Sequence, residues 1–423
     1  MSLAVLQLND LNLFIQTDQG QTYSEAGYAL LSDTGITTGD TARANTWLQP
    51  QNAFNQYWNN LNQTPFPTKH AHGRHHADIA YAQLKHLLQS VDNPEQLIVS
   101  VPGHFTDQQL SLLLGLLKAL QVEVVGIIDS AVGASILYPK AQFVVEVQLY
   151  QTVVTALDRK QHHIEIHDQI CLSDLGIMQL YNMVAGHISH QFIDQHRYDP
   201  LYSSVTEQQI YDLIPVWLEA LSQETEISVE IESPNGQLSS LINRQAIAQL
   251  FLQRLDSLNP YLQELSETVY FSQEASFIPN LVSKFSKCCL LDRSDSVGHC
   301  LQLAQQFPKD RLERTTVIKS SVDTSAPSSQ LSSDHATAAT HVLYNNTAYP
   351  IHRPISISRH GKGLIICSKM DKKADIVLAQ KGQHLQVVSQ QAELKVTLPS
   401  SLDLGQTLKI DGQSLALIGV DNG

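Results

Sequence analysis

An α/β fold followed by a small all-β module is predicted for this chain, and three stretches carry that expectation. Leu97 to Tyr138, LIVSVPGHFTDQQLSLLLGLLKALQVEVVGIIDSAVGASILY, alternates strand and helix patterns. A buried strand (Leu97 to Val101) meets a Pro-Gly break, then a helix capped by Thr106 with Asp107 in its first turn. A second apolar strand (Val122 to Ile128) and a small-residue helix follow, the order that builds a parallel, helix-covered sheet. Between Lys319 and Thr340, SSVDTSAPSSQLSSDHATAAT has no apolar periodicity and cannot bury enough surface to offset ordering, so it is expected to be a flexible linker. From His341 to Val420, short runs recur at Ile355–Ser358, Leu364–Cys367, Ile376–Ala379, Leu385–Val388, Leu394–Leu398, Leu408–Ile410 and Leu415–Ile418, with Asp411-Gly412 as a turn before the last. About seven strands in about 80 residues predict a small β-sandwich. The expected division is residues 1–312, a linker at 313–340, and a module at 341–423.

At 423 residues the chain exceeds one ordinary core, so two or three domains are expected. A formal net charge of -14 argues against nucleic acid and against anionic membrane surfaces, both of which require a cationic face. No run approaches the ~20 apolar residues of a membrane span. The opening MSLAVLQLNDLNLF lacks a basic region and a small-residue cleavage site, and reads as a first strand. Cys171, Cys288, Cys289, Cys300 and Cys367 have no paired spacing, which fits reduced thiols in a cytoplasm.

The segment around Val101, Pro102, Phe105, Asp107 and Gln109 resembles DnaK-type heat-shock chaperones, in which a Val-Pro-x-x-Phe strand end precedes an Asp-x-Gln helix. Four further blocks are similar to that family in the same order. They are residues 29–54, with Gln49-Pro50-Gln51-Asn52; 173–193, with Leu175 and Gly176; 221–251; and 267–285. The resemblance implies a two-lobed actin-like fold, each lobe a mixed sheet with helices around a central cleft.

The nucleotide chemistry of that family does not carry over. Phosphates need closely approaching backbone N–H groups, hence glycines in the turns, and magnesium needs carboxylates. Where the family has Asp-x-Gly-Thr, this chain has Leu8-Asn9-Asp10-Leu11-Asn12. Asp-x-Gly-Gly-Gly-Thr becomes Val147-Gln148-Leu149-Tyr150-Gln151-Thr152, keeping only the Thr. The adenosine-loop glycines are replaced by Ser272-Gln273-Glu274-Ala275, and the adenosine clamp by Pro215, Leu218, Glu219 and Ser222. The Asn-Glu-Pro switch segment becomes Asp129-Ser130-Ala131. No cofactor is therefore expected: ATP with magnesium is disfavoured, and Thr152, Gly176 and Ser222 are the residues that would contact a nucleotide. The expected role is a catalytically degenerate, protein-binding or scaffolding component. The rival is an active ATP-dependent chaperone or regulator with unconventional loops.

Lys69 to His76, KHAHGRHH, holds four histidines in seven residues. The helix that starts near His76 would aim them in different directions, and no cysteine or carboxylate pair completes a metal site. A polar interaction loop of His70, His72, Arg74, His75 and His76 is expected instead. His163, Glu165 and His167 share a face of a predicted strand, more typical of a solvated surface than of a metal site. In the tail, Asp375, Ile376, Val377, Leu378 and His384 resemble forkhead-associated domains. That resemblance implies phosphopeptide recognition, with Lys381 at the loop position and Ser368 where the phosphate-contacting Arg belongs.

Overall fold

The computed structural model describes all residues except 1, 139–140, 161–162, 235, 259–267, 279–280, 282–287, 308–311, 320–340, 345–346, 352–353, 361–362, 368–373, 382–383, 392–393, 399–405, 412 and 419–423. The chain forms two compact units, Met1–Ala326 and Pro327–Gly423. The first is mixed α/β.

Two six-stranded sheets form the frame of the first unit. The first contains β1 (Leu3–Gln7), β2 (Leu13–Thr17) and β3 (Thr22–Glu25), an antiparallel meander. A small sheet intervenes in sequence, made of β4 (Ala29–Ser32), β5 (Gly35–Thr38) and β6 (Ala53–Phe54), with the helical turn α1 (Asp40–Arg43) between the last two. Helix α2 (His76–Gln89) leads to β7 (Gln96–Val101), which lies parallel to β1. Helix α3 (Asp107–Ala119) then crosses to β8 (Glu123–Asp129), parallel to β7. The Thr106 cap is present: its hydroxyl accepts from Gln109 N at 3.3 Å, and Gln109 Oε1 accepts from Thr106 N at 2.9 Å. Helix α4 (Ser130–Ser135) follows.

The second sheet repeats this plan. β9 (Ala141–Val147), β10 (Thr152–Lys160) and β11 (His163–Leu172) form the antiparallel meander. Helices α5 (Ile177–His196) and α6 (Ser204–Gln223), the hairpin β12 (Glu226–Ser233) and β13 (Gly236–Asn243), and α7 (Arg244–Leu255) come next. β14 (Thr268–Phe271) then lies parallel to β9, and β15 (Cys288–Leu290) parallel to β14. After α8 (Arg293–Leu301), two short strands finish the sheets: β16 (Arg314–Thr315) pairs with β8, and β17 (Val317–Lys319) with β11. The start of the segment assigned to the linker is thus sheet edge, and residues 320–340 lie outside the described residues.

Both sheets pack into one core. Val5, Phe14, Ile98 and Ile128 of the first share a cluster with Val144, Leu157, Ile164 and Tyr270 of the second, together with α4 and α8 residues. The opposite face of the first sheet packs on α2 and α3, and that of the second on α5 and α6. Strands covered on both faces read as unbroken apolar runs, which is why Leu97–Val101 lacks alternation.

A buried polar network ties α2 to the segments that follow β3 and β6. Gln83 Oε1 accepts from Tyr57 Oη at 2.5 Å and Trp58 Nε1 at 2.7 Å, and its Nε2 donates to Ala26 O at 2.9 Å. Replacing Gln83 with leucine leaves buried groups unpaired and is expected to cost about 2–3 kcal/mol. Urea denaturation measures this directly, and a loss below about 1 kcal/mol would contradict the assigned role.

The described residues of the second unit form nine strands. One sheet contains β18 (His341–Tyr344), β19 (Thr347–Pro350), β24 (Val396–Thr397), β25 (Thr407–Ile410) and β26 (Gln413–Ile418). The other contains β20 (Ile355–His360), β21 (Gly363–Cys367), β22 (Ile376–Lys381) and β23 (His384–Gln390). Both contribute to one apolar cluster, including Val342, Leu408 and Leu415 from the first and Ile355, Ile376 and Leu378 from the second. Asp411 takes a left-handed φ of 50° in the last turn.

Candidate functional site

The turn after β1 and the turn after β9 are bonded to each other. Asn9 Nδ2 donates to Val147 O at 3.0 Å, and Asp10 Oδ1 accepts from Leu149 N at 2.7 Å. Leu149 is fully buried in the core, beside Leu175 and Ile177. Glycine is required where other backbone meets these turns: a Cβ on Gly27 would lie 2.2 Å from Asp10 O, and one on Gly176 would lie 2.3 Å from the Tyr150 carbonyl carbon. The space beside Asp10, bounded by Pro102, His104, Phe105 and Gln148, is about 10 Å³, room for roughly one water.

The start of α5 is closed in the same way. Its first amides, Ile177 N and Met178 N, donate to Gln148 O at 3.0 Å and Leu149 O at 2.9 Å. Gly176 N donates to Gln179 Oε1 at 3.1 Å. A helix N-terminus binds anions through free N–H groups, and here those groups have protein acceptors. Thr152 Oγ1 donates to Leu175 O within the same turn. Thr152 and Gly176 therefore come together as structural elements. Ser222 does not join them: it is exposed in the last turn of α6, its hydroxyl donating to Glu219 O at 2.6 Å.

A cavity of about 330 Å³ remains between Leu11, Arg43, Tyr181, Pro215, Glu274 and Arg293. Glu274 is buried and paired with Arg293, whose guanidinium also lies over the Phe14 ring at 5.8 Å. Burial pulls the Arg293 pKa down to about 10.

Sequence reasoning missed a group of buried acids where the sheets meet. Asp129 ends β8, and Glu146 sits within β9. Ser130 Oγ donates to Glu146 Oε2 at 2.8 Å, while Gln169 Nε2 donates to Asp129 Oδ2 at 3.4 Å and to Thr155 Oγ1 at 2.9 Å. Burial, reinforced by the Asp129 charge, pushes the Glu146 pKa up to about 8. Burial also raises Asp129, opposed by Arg314, whose Nε lies 4.0 Å away. It raises Asp10 to about 6 against backbone N–H bonds that favour the carboxylate. His104 is held down to about 4 by burial and then by Arg314. The available signal was a lone Glu within the apolar strand AQFVVEV.

The histidine loop splits between two directions. His70 and His76 pack edge-on against Phe66, and His76 Nδ1 bonds to Asn60 O at 2.8 Å. Burial lowers the His76 pKa. His75 Nδ1 lies 3.6 Å from Asp78 Oδ2. His72 and Arg74 instead line a groove of about 770 Å³ that also includes Thr38, Lys85 and His86. His72 bonds to Asp33 O at 2.8 Å, and Arg74 holds Asp78 through Nε and Nη2, each at 3.2 Å. Behind the groove, buried Glu25 accepts from Thr38 Oγ1 at 3.2 Å and lies 2.6 Å from His86 Nδ1. That pair was not read from the sequence, because 61 residues separate its members.

His167 Nδ1 lies 3.4 Å from Asp158 Oδ2 on the meander surface. Among the described residues, no three His, Cys, Asp or Glu side chains gather into a metal-sized site. In the second unit, Lys381 of β22 and His384 of β23 are paired in register, and His384 is exposed. The Lys381 side chain and Ser368 lie outside the described residues.

No protein-family model matches the chain, and no curated protein matches it. Among the described residues, no helix is long and apolar enough to cross a membrane.

Proposed function

We propose that the first unit is a two-lobed, actin-like domain of the DnaK-type branch that has lost nucleotide chemistry and acts in the cytoplasm as a protein-binding or scaffolding component. The repeated sheet plan supports the fold. Each sheet centres on its first strand, with a meander on one side and parallel strands on the other. The second unit, with two sheets around one cluster, is read as a β-sandwich that serves docking.

One observation carries the inert reading. Asn9 and Asp10 bond directly to Val147 and Leu149, and the α5 amides are taken by Gln148 and Leu149 carbonyls. A triphosphate between these turns would have to displace protein hydrogen bonds and the buried Leu149 side chain. Phosphoryl transfer depends on positioning and charge stabilisation, and those donors are already committed. Incubation of the full chain with magnesium-ATP is expected to release no phosphate above a protein-free control. Magnesium-dependent, saturable turnover would overturn this reading in favour of an active ATP-driven protein.

A further inference from the structure

β5 is an edge strand. Among the described residues it has one neighbour in its sheet, β4, with Ala29 opposite Thr38 and Leu31 opposite Ile36. Gly39 N donates to Tyr28 O at 2.9 Å. Antiparallel ladders alternate, so that bond aims the N–H and C=O groups of Ile36 and Thr38 away from β4. The strand, Gly-Ile-Thr-Thr, carries none of the lysine or proline that usually blunts an open edge.

Gly35 to Thr38 line one wall of the 770 Å³ groove along their full length. The other wall is a stripe of α2, Asp78, Tyr81, Ala82, Lys85, His86 and Gln89, at helical spacing. Its opposite face is buried through Ile79, Leu84, Leu87 and Leu88. Four strand residues span ~13 Å, enough for an extended segment of similar length.

The charge of the groove is defined by which groups are already paired. Asp78 is held by Arg74, and Glu25 is 2 % exposed behind His86. Lys85 is exposed, and no ion pair reaches it among the described residues. Arg74 is taken by Asp78 and His86 lies 2.6 Å from Glu25, so Lys85 is the groove cation left without an ion pair among the described residues, on a chain of net charge -14.

We propose that the groove between β5 and α2 docks an acidic, extended segment of a partner protein. The segment adds as a strand to the Ile36–Thr38 edge and sets a carboxylate against Lys85. Main-chain bonds supply affinity, and Lys85 supplies the preference for acid. The proposal rests on the binding-component reading and locates one of its contact surfaces.

The test is fluorescence anisotropy on the full chain with a fluorescein-labelled eight-residue peptide alternating Glu and Thr. The control peptide has Gln in place of each Glu. Saturable binding is expected for the Glu peptide, at least roughly tenfold tighter than for the Gln peptide, and weakened by salt. Lys85→Glu, on an exposed helix face, should weaken it by about tenfold. Ile36→Pro removes an outward N–H without touching the β4 ladder and should weaken it comparably; circular dichroism checks that this variant folds. Equal affinity for both peptides overturns the proposal, as does indifference to Lys85→Glu, or a Lys85-dependent dimer of the chain in place of peptide binding. Nucleotide turnover with intact Lys85-dependent peptide binding would sink the inert reading alone. Loss of peptide binding without nucleotide turnover would sink the groove alone.

Discussion

Gly27→Ala is expected to destabilise the first unit by about 3–5 kcal/mol, near the upper end for a single added methyl group. The new Cβ would lie 2.2 Å from Asp10 O, which is backbone and cannot rotate away. The same carbonyl accepts from Gly27 N at 3.0 Å, so relief of the clash also breaks a hydrogen bond. Asp10 is the residue that grips Leu149, so the strain reaches the contact between the two turns. Gly115→Ala supplies the counterpart. Gly115 lies within α3 and a Cβ there meets nothing within 4 Å. That substitution should gain about 0.5–1 kcal/mol from helix propensity and reduced chain entropy. Urea denaturation of both variants reads the contrast. Equal, small effects would show that Gly27 does not pack against Asp10.

Glu146→Gln is expected to stabilise the protein by about 4 kcal/mol at pH 8 while changing little at pH 4. Burial raises the folded-state pKa of Glu146 to about 8, above the ordinary carboxylate value, so the folded chain holds a proton that the unfolded chain releases. The stability tied to that proton is complete below the unfolded pKa and is lost as pH rises towards 8. Glutamine keeps the acceptor for Ser130 Oγ and has no charge to bury. Asp10, raised to about 6, adds a slope of the same sign at lower pH. His104, lowered to about 4, acts in the opposite sense. The difference between wild type and variant at each pH isolates Glu146. A constant difference from pH 4 to pH 8 would mean the carboxyl is not held protonated.

The parts of the fold most legible in sequence were those with strong local patterns. Leu97–Tyr138 yields β7, α3, β8 and α4 with the Thr106 cap, because apolar runs, a Pro-Gly break and a capping box are all local. β16 and β17 were not legible. Strands of two and three residues have no periodicity, and their pairing with β8 and β11 is decided by sheet edges laid down far earlier in the chain. Two strands before Ile355, β18 and β19, were missed for a similar reason: the first follows the Ser-rich stretch directly. In the tail, the expected run Leu394–Leu398 contracts to Val396–Thr397.

The candidate sites follow the same division. The absence of glycines from the turns was readable residue by residue, but the direct bonding of Asn9 and Asp10 to the other turn depends on how the two sheets meet. KHAHGRHH was visible as an unusual composition. Which histidines face the groove depends on Phe66 drawing His70 and His76 to the other side. Glu25 and His86 look like ordinary surface residues in sequence, and only the packing of α2 on β3 and β5 brings them together.

The most direct measurement is calorimetric titration of the full chain with ADP and with ATP in excess magnesium. Closed turns predict no saturable heat with either nucleotide at concentrations up to ~1 mM, where even weak specific sites release ~4 kcal/mol of binding free energy. A one-site isotherm that vanishes when magnesium is chelated would mean the Asn9–Val147 and Asp10–Leu149 bonds open to admit phosphate.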